Sequence, residues 1–255
     1  MHEKLFFEST QGIKLCGILA DSKKDFSKPL IIFAHGFGSS KDTRKAVHLE
    51  KVLGEKGFPF FRFDFTGHKE SQGNLEATTL TQGVQDLISA LKLMQKKGYK
   101  KFGLIGESFG TLCSVIASTQ IKNIQFLVLI APLWNYQEKA MDDLGMEKVN
   151  AWKTKGTMDY TKHNGVVIQL KYDLFDDAEK NNGYEFAPKI TVPVLIIHGA
   201  KDTKVSVNQS KKAYALIKGS KLEIFPESDH YFLKQEELDQ ITEKAMLFVQ
   251  KHANL

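Results

Sequence analysis

Three residues far apart in this 255-residue chain could together make a nucleophile. Ser108 stands at the centre of Gly106-Glu107-Ser108-Phe109-Gly110, a G-x-S-x-G pattern between an apolar run and a helix-like stretch. In that context a sharp strand-to-helix turn lifts a serine hydroxyl out of the fold. So tight a turn leaves little room for side chains two positions either side of the serine, and both positions are glycine. A serine hydroxyl is a poor nucleophile at neutral pH. It needs a general base within hydrogen-bond reach, and the base needs an orienting carboxylate. In open α/β sheets such groups gather at the carboxyl ends of strands, which narrows the search to loops that follow strands. Asp202 follows the apolar run ending Ile196-Ile197-His198-Gly199, and His230 follows the strand-like residues 222–225. The chain order Ser108, Asp202, His230 is the one expected with this kind of elbow. Of the eight histidines, His230 alone lies in a loop after both serine and acid with a final helix still to come. Asp229 is a rival acid, although adjacent residues seldom aim their side chains at one another. Asp64 also follows a strand but precedes the serine, which suits a structural hydrogen-bonding role.

The chemistry these groups could do is acyl transfer, and it needs donors for a developing oxyanion. The turn His35-Gly36-Phe37-Gly38 can point a backbone N–H into the site. The N–H of Phe109, at the start of the elbow helix, is the second candidate, where the helix dipole assists. His35 itself reads as a brace for its loop.

The elements that must hold these groups alternate. Strands are expected at 5–9 and 13–19 around a Gln11-Gly12 turn, then at 29–34, 58–65, 101–105, 124–131, 192–197 and 221–225. Helices are expected at 43–56, 81–97, 109–118, 207–217 and 236–252. This is an α/β pattern, a mostly parallel sheet covered by helices on both faces. Residues 1–132 and 189–255 build one core, since both parts contribute strands to it. Residues 133–188 break the alternation, are rich in aromatic and charged side chains, and should form a folded insertion above the sheet.

Bulk properties are those of an ordinary globular protein: 42% hydrophobic, 25% charged, net charge +5. The basic residues are dispersed, so nucleic acid is not an expected partner. The two cysteines, Cys16 and Cys113, sit in apolar stretches and read as buried thiols, with a disulfide between them left open. The first residues form no long apolar run, so a signal peptide is not expected; no run approaches the length that spans a membrane, and a cytoplasmic location is the default expectation.

Five ordered motifs then point to a family: His35-Gly36-Phe37-Gly38, the segment from Phe63 to His68, Gly106 to Gly110, His198-Gly199 with Asp202, and Asp229-His230. Over nearly its full length the chain resembles the α/β-hydrolase superfamily. Within it, it is similar to the capped carboxylesterases and monoacylglycerol-lipase-like hydrolases, and most to the bacterial cinnamoyl (feruloyl) esterases. The resemblance implies an eight-stranded sheet with an antiparallel second strand and a lid inserted after strand 6. It implies a Ser108–Asp202–His230 triad and oxyanion donors at the backbone of Phe37 and Phe109. It implies that the insertion walls an acyl or aryl pocket, to which Tyr136, Asp142, Asp143, Trp152 and Tyr172 could contribute. No metal or organic cofactor is expected. Four positions depart from the pattern: Lys69 replaces a glycine in the segment from Gly67 to Gly73, Glu107 stands where histidine is frequent, Phe109 stands where leucine, methionine or glutamine is frequent, and Thr111 stands where many relatives have glycine.

The leading expectation is a serine carboxylesterase. A thioesterase, an amide or peptide hydrolase and an acyltransferase would use the same triad, and a hydrolase-like binding protein is the non-catalytic alternative. The dense charge of the insertion argues against a lid that lies on a membrane, and so favours soluble short-chain or aryl esters. At least half of the lid aromatics should form its own core. Expected partners are a small-molecule ester and, at most, a second copy of the chain in a homodimer, with no stable membrane association.

Overall fold

A computed structural model describes residues 2–21, 25–162 and 165–253. The chain opens with a hairpin, β1 (His2–Glu8) and β2 (Lys14–Ala20). It continues through β3 (Leu30–Ala34), α1 (Arg44–Glu55), β4 (Phe60–Asp64), α2 (Leu80–Lys96), β5 (Phe102–Glu107), α3 (Phe109–Gln120) and β6 (Ile124–Ile130). An excursion follows: α4 (Tyr136–Lys155), β7 (Thr157–Thr161), β8 (Val167–Lys171), α5 (Asp173–Asp177) and α6 (Gly183–Phe186). The chain then returns as β9 (Val194–Gly199), α7 (Val207–Leu216), β10 (Lys221–Phe225) and α8 (Gln235–His252). Helix starts follow side-chain chemistry: Thr43 and Thr79 cap α1 and α2 by accepting the N–H of Ala46 and Gln82.

The main sheet has eight strands in the order β1-β2-β4-β3-β5-β6-β9-β10. β2 runs antiparallel to both neighbours, and the pairs from β4 to β10 are parallel. Every residue of β3, β4, β5 and β9 is buried, as strands covered on both faces require. Alternate side chains feed two cores. Phe61, Phe63, Leu104 and Leu127 pack toward α2 and α3, while Ile31, Phe60, Ile105 and Val128 pack toward α1 and α8. Cys16 and Cys113 are both buried free thiols. No helix among the described residues is long and apolar enough to cross a membrane.

Among the described residues, the stretch between β6 and β9 adds no strand to the main sheet; β7 and β8 pair with each other instead. Helix α4 is interrupted at Gly145, whose φ of 74° and ψ of 163° are not helical. Trp152, Leu170 and Leu174 are buried here, with Tyr172 and Phe175 packed around the indole. The Trp152 indole N–H donates to the Leu170 carbonyl at 2.9 Å. Of the apolar run 166–170, Leu170 is the buried member, whereas Val166 and Val167 are exposed.

Candidate active site

The serine turn lies between β5 and α3. Ser108 has φ 50° and ψ −114°, a conformation costing on the order of 1–3 kcal/mol for a residue with a side chain. Close packing enforces it. A Cβ on Gly106 would lie 2.7 Å from Thr111 Cα, and one on Gly110 would lie 2.1 Å from the Ala34 carbonyl oxygen. Ser108 N–H donates to Ile130 O at 3.1 Å, tying the turn to β6. Thr111 adds a tie that glycine would lack: its hydroxyl donates to Ser108 O and accepts the N–H of Leu133 at 3.1 Å. The elbow is thereby joined to the start of the insertion.

His230 bridges serine and acid. Its Nε2 lies 3.1 Å from Ser108 Oγ and its Nδ1 lies 2.7 Å from Asp202 Oδ2. Asp202 is held on both oxygens. Oδ1 accepts the N–H groups of Lys204 and Val205, each at 2.8 Å, and Oδ2 also faces His198 Nε2 at 3.0 Å. That His198 nitrogen is 3.0 Å from the Val205 carbonyl as well, so it must carry a hydrogen, and its Nδ1 accepts from the Ser210 hydroxyl at 2.7 Å. The same reasoning puts a hydrogen on His230 Nδ1 and leaves the Nε2 lone pair toward Ser108. Burial pushes the Asp202 carboxyl up, but the hydrogen bonds from His198 and His230 outweigh it and hold the group well below the usual carboxylate range. Asp229 faces elsewhere: its Oδ1 accepts the N–H groups of Tyr231 and Phe232 at 2.8 and 3.1 Å, bracing the turn after His230.

Two histidines fix the loop that carries Phe37. Phe65 N–H donates to His35 Nε2 at 3.1 Å and Gly38 N–H donates to His68 Nε2 at 3.0 Å. Their Nδ1–H groups are then left for Gly36 O and Thr66 O at 2.8 and 2.9 Å. Burial lowers both pKa values, so both rings brace backbone as neutral imidazoles. Asp64 anchors the next turn, accepting from Lys41 N at 2.7 Å, Lys41 Nζ at 2.8 Å and Glu70 N at 3.2 Å. Among the described residues, the N–H groups of Phe37 and Phe109 have no protein acceptor. The two residues share the wall beside Ser108, their rings 6.0 Å apart.

A cavity of about 510 Å³ opens over Ser108 and His230. Phe37, Phe109, Leu133 and Val205 supply apolar wall, and Tyr136 and Asp143 reach it from α4. Three other residues named in the insertion do not line it. Trp152 and Tyr172 are turned into the insertion's own core, their rings 5.4 Å apart at a near-right angle, because the hairpin and α5 close around the indole. Asp142 is exposed and lies outside the wall, one position off the face that presents Asp143.

Sequence reasoning missed Tyr160, which comes from β7 and meets the Phe37 ring edge-on at 5.3 Å. The alternation in 157–161 could have suggested a strand there, though not which way it faces. Also missed was a strut at the turn itself. Lys45 Nζ pairs with Glu107 Oε1 at 2.8 Å and donates to Tyr231 O at 2.5 Å, joining the neighbours of Ser108 and His230.

A family profile described as serine aminopeptidase, S33, matches residues 26–182. The chain belongs to that family. It is similar over 237 residues, at 26% identity, to a Mycoplasma pneumoniae protein that carries an esterase/lipase name, covering 83% of this chain and 87% of that one. This S33 family member is also 26% identical over 187 residues to the bovine (Bos taurus) mitochondrial palmitoyl-protein thioesterase ABHD10, covering 72% of this chain and 60% of the relative. Among solved structures, Est1E from Butyrivibrio proteoclasticus with ferulic acid bound superposes with a TM-score of 0.80 at 25% identity, over 97% of this chain and 98% of that one. The α/β-hydrolase architecture expected from the motifs is the one observed.

Proposed function

We propose that the chain is a serine esterase acting on small acyl or aryl esters through an acyl-enzyme. The observation that carries this reading is the continuous hydrogen-bonded line from Ser108 Oγ through His230 to Asp202, with spacings of 3.1 and 2.7 Å, at the floor of a cavity. Ser108 Oγ attacks the ester carbonyl carbon while its proton passes to His230 Nε2. The carbonyl oxygen takes the negative charge and is met by the free N–H groups of Phe37 and Phe109. Collapse breaks the bond to the leaving oxygen, which takes the proton from His230 and departs as alcohol. Water then gives a proton to His230 and attacks the acyl carbon, and Ser108 leaves with that proton as the acid is released. Asp202 stays ionised throughout and stabilises the imidazolium.

A volume of about 510 Å³ suits a small ligand, and the rings of Phe37, Phe109 and Tyr160 suit an aryl or short alkyl acyl group. The segment 133–188 serves as the cap of this pocket. A thioester would pass through the same steps, and the thioesterase name of the bovine relative makes it the second reading. The test is hydrolysis of p-nitrophenyl esters from acetate to palmitate, a ferulate ester, a thioester and an anilide, by wild type and Ser108→Ala. Ester turnover lost in the variant, with a short-chain or aryl optimum, supports the proposal. A folded wild type that cleaves only the thioester or the anilide overturns it in favour of those substrates.

A further inference from the structure

Charge on the cavity wall has no part in the steps above. Its acidic side chains, Glu107 and Asp143, are each matched, by Lys45 at 2.8 Å and by Lys139 in an i, i+4 pair. Arg44 also lines the wall, bound to neutral acceptors, the Leu233 carbonyl at 2.7 Å and the Gln235 side-chain oxygen. Lys162 and Lys204 line it too, and among the described residues neither has a carboxylate partner. They arrive from different elements. Lys162 follows β7 in the insertion, and Lys204 lies two residues beyond Asp202. Burial is the main reason that His68 resists protonation, and the Lys162 charge adds to it, which places that lysine near the loop carrying Phe37. The wall is therefore apolar around Ser108 and carries a surplus of cations toward its rim. Such a surface raises the local concentration of anions and repels cationic substrates.

We propose that the cavity selects esters bearing an anionic group, a carboxylate or a phosphate, which Lys162 and Lys204 hold while the scissile carbonyl sits at Ser108. This rests on the serine-hydrolase reading and names the substrate class for it. Two solvent-accessible ammonium groups acting together should favour an anionic ester over its neutral twin by about three- to tenfold in kcat/KM, carried by KM.

The probes are matched pairs of equal length. One is the mono-p-nitrophenyl ester of a dicarboxylic acid against its terminal methyl ester. The other is a short acyl ester of glycerol phosphate against that of glycerol. Each pair is measured with wild type and with the double variant Lys162→Gln/Lys204→Gln. The readout is the ratio within a pair, so a loss of folded protein cancels. In wild type at least one pair should show the preference, which half-molar salt should shrink. In the double variant the ratio should fall to about one. The carboxylate and phosphate arms tell which anion is taken. A ratio of one in wild type for both pairs, or a preference that survives in the double variant, overturns the proposal. If neither pair is turned over, binding of the same esters to Ser108→Ala by calorimetry gives the ratio without chemistry. Failure of the hydrolase reading itself would show separately, as the absence of Ser108 labelling by a fluorophosphonate.

Discussion

Replacing Asp202 by asparagine should leave the fold standing and nearly abolish turnover, for a reason visible in the hydrogen bonds. Two backbone N–H groups, of Lys204 and Val205, point at Oδ1 from 2.8 Å. An amide can meet them only with its oxygen, so the asparagine NH₂ must take the place of Oδ2. There it faces His230 Nδ1 at 2.7 Å and His198 Nε2 at 3.0 Å, both of which carry hydrogens in the native arrangement. His198 cannot easily yield, because its Nε2 also serves the Val205 carbonyl. His230 can: it moves its proton to Nε2 and accepts from the amide at Nδ1. That tautomer presents N–H rather than a lone pair to Ser108 Oγ, and general-base catalysis stops. A wrong-tautomer histidine costs about 10⁴ in kcat, on the order of 5 kcal/mol of transition-state stabilisation, with a residue of activity left to the oxyanion donors. The assay is kcat and KM on the best ester, alongside a thermal melt and a fluorophosphonate labelling rate. Expected are a kcat reduced by about 10³–10⁴, KM little changed, slow labelling, and a folded protein whose melting temperature is lowered, because the amide NH₂ faces the His198 N–H and the carboxylate's hydrogen bonds are lost. A folded Asp202→Asn variant that keeps kcat within tenfold of wild type would refute the tautomer argument and reopen Asp229 as orienter.

Two further outcomes concern the supports of the site. Lys45→Met strands the Glu107 carboxylate, whose Oε2 is already without a partner, and removes the bond from Lys45 Nζ to the Tyr231 carbonyl. It should cost about 3 kcal/mol of stability and lower kcat. The double variant Lys45→Met/Glu107→Gln should regain stability in denaturant unfolding; if it does not, the buried pair is not the cause. Glu70 supplies the pH-dependent case. Hydrogen bonds from Lys4 and Lys41 depress its carboxyl from 4.5 to about 2. A depressed pKa means that the folded state holds the proton less tightly than the unfolded chain. The contribution is therefore fully present above pH 4.5 and is lost as pH falls toward 2. The melting temperature of wild type should exceed that of Glu70→Gln at pH 6, and the gap should narrow steadily on acidification to pH 3. A gap that is constant or widens would show that the Lys4–Glu70–Lys41 arrangement does not set it.

Much of the candidate site is legible in the sequence because its requirements are local. A turn so tight that a Cβ at Gly110 would strike the Ala34 carbonyl demands glycine, and the demand is written at fixed offsets from Ser108. β9, buried on both faces, reads as an apolar run, whereas the edge strand β10 is partly exposed; functional side chains in such sheets follow strand ends, which singles out the loops of Asp202 and His230. Lys69 is an instructive departure: it adopts φ 43°, in the left-handed region that glycine enters without strain, so the turn there carries no residue that signals it.

Residue order and periodicity thus suffice for the strands and helices of the main sheet, the sharp turn at Ser108 and the loops that carry Asp202 and His230, but not for the elements between β6 and β9. Periodicity reports which residues share a face, and backbone geometry reports where glycine is required; both are properties of short segments. What each face meets is settled by packing in three dimensions. Trp152 and Tyr172 turn inward while Tyr136 and Tyr160 turn to the cavity, although all four are aromatic residues of one insertion. The close approach of Lys45, Glu107 and Tyr231, and the burial of Lys41 against Asp64 and Glu70, join residues from separate elements. Such pairings depend on how those elements pack in three dimensions, and no short-range pattern encodes the distance between them.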